Sequence, residues 1–358
     1  MNAHTHYSGG RRALRTRSRG FTLIELLTVI AIISLLISIL VPSVSKARDA
    51  AKNAKTRAIM KNMGDGFEMF VNENSAELRG QNYPSSKAGD DPTEAGNNTA
   101  IGSEDMSGAQ WAVRCIMGKK IDGYVPRRVV PPAFYATPPA AGSEQVGWYD
   151  NPGDSTWPTN GPTEALPRSG PYLEPGAVKL KAPKALAGST APATDTSPRY
   201  NNPVIVDSFD MPILYYAANS VQAANVKANI TAYDYDDPNN PTANLGGIYT
   251  FRDNAMFTGM CDESGCDPAS PWWNLGGGEH KLNYGPSTWK TQPENIRTEI
   301  SAHPSSFAYY ILNREAWESS NPDTSKRALV PNRRDSYILI SPGKDGRFGT
   351  GDDVMNFQ

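Results

Sequence analysis

Apolar and polar positions divide this chain unevenly. From Phe21 to Val41 the run FTLIELLTVIAIISLLISILV is almost continuously apolar. Glu25 is its one ionisable residue, and Thr22, Thr28, Ser34 and Ser38 are its other polar members. A helix rises about 1.5 Å per residue, so the run is about 30 Å long, the thickness of a bilayer's hydrocarbon core. Beyond it the pattern turns amphipathic. Val44, Ala47, Ala51, Ala54, Ala58, Met63, Phe67 and Phe70 fall near helical spacing. Lys46, Arg48, Lys52, Lys55, Arg57 and Lys61 fill other positions. One helix is therefore expected from Phe21 to about Asn74. Pro42 cannot donate to its ladder and predicts a bend or a local loosening. Gly64 and Gly66 weaken the helix late.

The rest alternates between loop chemistry and short ordered runs. Residues 75 to about 200 are rich in Pro, Gly, Ala, Ser and Thr, as in 181–198, KAPKALAGSTAPATDTSP. Such composition makes loops, and the region is expected to be an insertion peripheral to the core. Two exceptions are a helix over Gln110–Met117 and an ordered segment at Gly123–Pro126. Strands are expected at Pro203–Asp207, Ile213–Ala217 and Asp335–Ser341, which are rich in β-branched and aromatic residues. Ser306–Leu312 reads as helix or strand. Residues 231–300 form a second polar insertion, with acids at Asp234, Asp236 and Asp237 and an aromatic pair at Trp272 and Trp273.

Composition narrows the function classes. The chain has 358 residues and a net charge of −2. Residues 1–20 hold five arginines (Arg11, Arg12, Arg15, Arg17, Arg19) and no acid. Without them the charge moves from −2 to −7, which argues against general nucleic-acid binding. The same basic flank predicts a cytoplasmic N-terminus, with the residues after Val41 on the far side of the membrane. Three cysteines are few for a disulfide framework; Cys261 and Cys266 are spaced to permit one small bridge, leaving Cys115 alone, and unpaired thiols fit as well. The four histidines have no metal-ligand spacing. No Ser/His/Asp set, nucleophile elbow or phosphate loop appears, so no enzymatic role is expected.

An ordinary secretory signal carries its small-residue cleavage site after the apolar core. Here Gly20 stands before it. The segment Gly20-Phe21-Thr22-Leu23-Ile24-Glu25-Leu26-Leu27, with Pro42 further on, resembles the type IV prepilin signature. The resemblance implies cleavage after Gly20 by a prepilin peptidase, methylation of Phe21, and retention of the apolar helix. It also implies that Glu25 meets the amino group of Phe21 when subunits assemble, so Phe21, Glu25 and Pro42 become assembly residues. The implied fold is α+β and pilin-like: a long N-terminal helix packed on a small antiparallel sheet, with large loop-rich insertions. The expected organisation is a leader at 1–20, a membrane or filament-core helix at 21–41, an amphipathic half at 42–74, an insertion at 75–200 and a β head at 201–358.

Two further segments resemble the major pseudopilin of type II secretion systems. Asp207, Phe209, Pro212 and Tyr215 match a turn-and-strand motif of that family, with Asp210 where the family carries Gly. Asp tolerates the left-handed conformation better than most residues. Near the C-terminus, Asp345, Asp352 and Asp353 are interleaved with Gly343, Gly346, Gly349 and Gly351. Calcium takes six to eight oxygens, and glycines let a short loop fold its carbonyls inward. The resemblance implies a structural calcium site with Asp345, Asp352 and Asp353 as ligands and Ser341 and the Leu339 carbonyl as additions; a solvated turn is the other reading. The implied partners are the prepilin peptidase, other pilin or pseudopilin subunits, secretion-system inner-membrane assembly proteins and the membrane. A minor pilin of a type IV pilus, and an anchored surface protein binding through Trp148, Tyr149, Trp157, Trp272 and Trp273, are rival readings.

Overall fold

The computed structural model describes residues 20–74, 82–86, 106–118, 121–123, 125–126, 148–149, 167–189, 194, 198–223, 231–232, 247–259, 280–286, 288–291 and 295–357. These fall into two compact units, Met1–Ala50 and Ala51–Gln358. The described residues of the first are 20–22 and the start of α1, Leu23–Glu73. Helical backbone continues through Pro42 without a break, so the expected loosening does not interrupt the helix. Every large apolar side chain from Phe21 to Val44 is exposed.

In the second unit α1 buries Thr56, Ile59, Met60, Met63, Gly66, Phe67 and Phe70, a face repeating every three or four residues. This corrects the expected stripe. Val44, Ala47, Ala51, Ala54 and Ala58 are exposed, and only Met63, Phe67 and Phe70 of that set are buried. Alanines offer little area to bury, whereas Ile59, Met60, Met63 and Phe67 carry the bulk that closes a core. Gly64 and Gly66 prove to be contact positions. A Cβ on Gly64 would stand 2.6 Å from the Tyr337 hydroxyl, and one on Gly66 would stand 3.6 Å from Ile116.

A sheet lies against this face. Its order is β5–β8–β9, with β5 Leu214–Ala217, β8 Tyr337–Ser341 and β9 Val354–Met355, all antiparallel. Leu214 pairs with Ile340 and Tyr216 with Ile338. Strand alternation then sorts the side chains. Ile213, Tyr215, Tyr337, Leu339 and Val354 join Ile59, Met60, Met63 and Phe67 in one core. Leu214, Tyr216, Ile338 and Ile340 join a second core on the other face. Every residue of β8 is buried, which explains why Tyr337–Ser341 reads as a continuous apolar run rather than an alternating one.

Both presumed insertions supply core. The helix α2, Gly108–Met117, is buried along its whole length and packs beside α1 in the first core. It begins at a capping box in which Ser107 and Gln110 satisfy each other's backbone N–H groups. The expectation that 75–200 is peripheral therefore fails for α2; one side of α2 meets α1, the other the sheet. Likewise Tyr249, Phe251, Phe257, Leu282, Tyr284, Trp289, Ile296 and Ile300, from the region expected to be a polar insertion, form much of the second core. They are scattered among polar residues, so no local periodicity marks them. Phe307–Ile311 resolves as helix, capped by Ser306. Small ladders complete the fold: Val125–Pro126 with Trp148–Tyr149, Lys179–Lys181 with Val204–Val206, and a parallel pair, Thr231–Ala232 with Tyr249–Thr250. The architecture is α+β, a long N-terminal helix with small, mostly antiparallel sheets and extensive loops.

Candidate functional site

The N-terminal site is built around Thr22. Thr22 N–H and its hydroxyl each donate to Glu25 Oε2 at 2.8 Å, and Glu25 N–H reaches Thr22 Oγ1 at 3.3 Å. This is a capping box at the first turn of α1, with Thr22 as the cap and Glu25 three residues on. The acid in the apolar run thus has a local reason to stand there: it satisfies a helix N-terminus and complements its dipole. Sequence inspection missed Thr22, although Thr-x-x-Glu ahead of an apolar run is the signature of such a cap. Only one oxygen of Glu25 is used among the described residues, which leaves Oε1 for another donor. Within the apolar run, Thr28 donates to the Glu25 carbonyl at 3.0 Å and Ser38 to the Leu35 carbonyl at 2.7 Å. Both hydroxyls are thus satisfied by carbonyls of the helix itself. Gly20 is exposed, and nothing lies within 4 Å of a Cβ built on it; Phe21 is 76% exposed. The arginines ahead of Gly20 lie outside the described residues.

Basic residues flank the apolar run on both sides. Six cations from Lys46 to Lys61 follow it, against five before it. The orientation rule counts Lys and Arg within about 15–20 residues of each end, so charge alone does not orient the span.

The turn between β4, Val204–Val206, and β5 is where the expected Asp207 motif lies. Asp207 is buried, and its Oδ1 accepts from the N–H groups of Phe209 (2.7 Å) and Met211 (2.9 Å). Burial raises its carboxyl above the ordinary value, while hydrogen bonds from Ser341, Met211 and Phe209 oppose the rise. Asp210 adopts φ +70°, the left-handed conformation the motif requires. Its carboxylate pairs with Lys179 at 2.6 Å and Lys181 at 3.3 Å. The turn docks on α1, with Ser208 N–H donating to Thr56 Oγ1 at 3.3 Å and Lys52 lying 4.7 Å from the Phe209 ring centroid. Tyr215 stacks on Phe67 at 4.7 Å and donates to the Pro84 carbonyl at 2.6 Å.

The C-terminal loop leaves β8 and folds back to β9. Gly343, Gly346 and Gly349 all take positive φ. A Cβ on Gly343 would collide with the Asp352 carbonyl, so the reversal needs glycine there. Thr350 Oγ1 donates at 2.6 Å to Asp352 Oδ1 and lies 3.2 Å from Asp353 Oδ1, drawing both carboxylates to one hydroxyl. Asp345 N–H donates to Asp352 Oδ2 at 2.9 Å, while the Asp345 carboxylate accepts from Arg347 N–H at 2.8 Å. Asp353 is buried and accepts from Gly349 N–H and the Tyr310 hydroxyl. Burial raises its carboxyl to about 7 despite those bonds. Burial also acts on Asp352, but hydrogen bonds from Thr350 and the local backbone outweigh it and hold that carboxyl low. Among the described residues none of the three carboxylates pairs with Lys or Arg, and no group of three His, Cys, Asp or Glu converges closely enough to hold a metal as it stands.

The two additional ligands expected for the loop are engaged elsewhere. The Ser341 hydroxyl donates to Asp207 Oδ2 at 2.6 Å, and the Leu339 carbonyl accepts from Asn356 N–H at 3.3 Å. Thr350 is instead the hydroxyl that bridges Asp352 and Asp353, and sequence inspection passed over it. Cys115 is buried beside Phe70. Cys261 and Cys266, the acids at 234–237, and Trp157, Trp272 and Trp273 lie outside the described residues.

Comparison with known families finds a prokaryotic N-terminal methylation motif at residues 15–41. It covers Gly20, Phe21, Glu25 and the whole apolar run, and marks a type IV pilin-like signal. Such a motif implies processing by a prepilin peptidase and assembly of the pilin type in general. No curated protein and no solved structure matches the chain. The one helix among the described residues long and apolar enough to cross a membrane is α1.

Proposed function

We propose that this chain is a structural subunit of a type II secretion pseudopilus, cut after Gly20, methylated at Phe21, and held by α1 in the inner membrane until it joins a helical filament. The observation that carries the reading is the apolar half of α1. Every large apolar side chain from Phe21 to Val44 is exposed, and the run as far as Val41 lies within the methylation motif. Such a surface needs lipid or the same surface of other subunits. The chain itself catalyses nothing in this scheme; cleavage and motor work belong to the peptidase and the inner-membrane assembly proteins. Charge does not orient the span, so the orientation follows from the prepilin-type signal: the leader stays cytoplasmic, and the head stands in the periplasm.

Glu25 directs addition. Thr22 holds its carboxylate through one oxygen, and the other meets the methylated amino group of Phe21, exposed once Gly20 is removed. A carboxylate at membrane depth is costly unless paired, so a subunit in correct register is favoured. The test is an assembly assay with Glu25→Val, scoring cleavage and filament yield separately. Retained cleavage with lost filaments is expected; normal filaments refute the role.

Calcium fits the C-terminal loop in its donor chemistry. Asp352, Asp353 and Thr350 are gathered, Asp353 is a buried acid without a cation, and Asp345 lies one hydrogen bond away. Asp345 Oδ1 accepts from Arg347 N–H, which leaves Oδ2 for a cation. Bound calcium would supply the countercharge that burial denies Asp353 and would stabilise the folded head by mass action. The turn at Asp207–Pro212 and this loop together favour a pseudopilin over a pilus subunit.

A further inference from the structure

We infer that Lys46 and Arg48 form a collar that binds the anionic phosphate headgroups of phospholipids at the far face of the membrane, fixing the depth of the span. The inference rests on α1 being the membrane anchor. The first observation is position. Helical backbone continues from the apolar run through Arg48, so height above the hydrocarbon edge follows from the rise per residue. Taking Val41 as the edge, Lys46 stands about 8 Å and Arg48 about 10 Å beyond it. The headgroup layer is about 5–8 Å thick on each side of the core. Long cationic side chains reach back along a helix, which brings both charges to the phosphates.

The second observation is availability. Both residues are exposed and carry no ion pair among the described residues. Two residues apart on a helix is about 200°, so the two side chains leave opposite sides of α1. They surround it rather than mark one face that a single protein partner would cover. The one acid between Glu25 and Ala50, Asp49, is half-buried and already engaged. The residues between the apolar edge and the collar, Pro42-Ser43-Val44-Ser45, pass from apolar to hydroxyl-bearing, as a headgroup boundary demands.

The third is the internal contrast along α1. Lys55 and Arg57 are also cations, but they lie about two and a half turns further on. That adds more than the Debye length of about 8–10 Å, so they should not sense the surface. A subunit leaving the membrane for a filament must then release the collar as well as the apolar helix, and anionic lipid would slow its extraction.

The test uses the full chain reconstituted in bilayers of phosphatidylcholine with phosphatidylglycerol. Spin-labelled versions of each lipid report their relative association with the protein. A cation at the surface is worth about fivefold in association with an anionic lipid. Lys46→Gln/Arg48→Gln should lower the preference for phosphatidylglycerol by at least about threefold, the leader arginines being common to all variants. Lys55→Gln/Arg57→Gln should leave it unchanged. An unchanged preference in the first variant, or an equal loss in the second, overturns the inference. So does a first variant that keeps its lipid preference but loses crosslinking to an acidic protein partner. Flotation with the vesicles is scored separately: a wild-type chain that does not float overturns the anchor reading itself, whereas one that floats without lipid preference overturns only the collar.

Discussion

Phe67 is the residue through which α1 holds the sheet, and its removal gives the sharpest test of the fold. It is fully buried, stacks on Tyr215 at 4.7 Å with 22° between the rings, and meets Tyr337 at 4.9 Å. Burying a Phe side chain contributes about 1.5–3 kcal/mol by area. The aromatic pairs add about 0.5–1.5 kcal/mol, and truncation leaves a cavity, so Phe67→Ala should cost about 3–5 kcal/mol. For a head of this size that is a fall in Tm of about 5–8 °C. The assay is thermal and urea unfolding of a soluble head beginning near residue 45; the buried face of α1 starts only at Thr56, so that truncation removes none of the core. Met69→Ala is the control on the same helix turn, because Met69 is 53% exposed and its loss should stay within about 0.5 kcal/mol. If Phe67→Ala costs less than about 1 kcal/mol, or no more than Met69→Ala, then α1 does not close the core and the packing argument fails.

Other expectations follow from the same contacts. Calcium should raise the Tm of the head, and Asp352→Ala/Asp353→Ala should abolish the rise; an equal rise in that variant refutes the site. Asp353, raised to about 7 in the folded head, binds its proton more tightly there than when unfolded. The calcium-free head should therefore lose stability as pH climbs from about 4 to about 7, and Asp353→Asn should flatten that slope in pH-dependent urea titrations. Ser341→Ala leaves a buried oxygen of Asp207 without its donor and should cost about 1–3 kcal/mol by urea unfolding. Thr22→Ala removes the cap on Glu25 while leaving Gly20 and Phe21 intact. Cleavage should proceed normally, measured by the mobility of the processed chain, while filament yield falls; equal yields would separate the cap from assembly.

The Asp207 turn shows how far residue chemistry reached. Asp210 in place of Gly raised a local question, whether a left-handed turn survives, and φ +70° answers it. What the local pattern lacked was the pair of lysines, Lys179 and Lys181, that neutralise the new carboxylate. They lie about thirty residues away, and only the pairing of their strand with Val204–Val206 brings them to Asp210. Ser341 tells the same story in reverse. The resemblance to a pseudopilin calcium loop implied a metal oxygen, but the hydroxyl donates to Asp207, more than a hundred residues earlier in the chain. Thr350 sat inside the loop and was passed over, because proximity of a hydroxyl to two carboxylates is a product of backbone reversal at Gly343, Gly346 and Gly349.

By itself the sequence determined the elements governed by near neighbours: the span from Phe21 to Val41, the helix extending to Glu73, and the strands at Val204–Val206, Leu214–Ala217 and Tyr337–Ser341. Helical rise, β-propensity and φ preference act over a few residues, so a few residues reveal them. Tertiary structure decided what long-range burial controls. It selected Thr56, Ile59 and Met60 over the alanine stripe, carried α2 from a presumed insertion into the core, and built a second core from Tyr249, Phe251, Leu282 and Trp289. Their burial depends on partners hundreds of residues apart in some cases, as between Ile59 and Leu339. No local period encodes such a choice, because the free energy of burial is set by what covers a side chain and not by what precedes it.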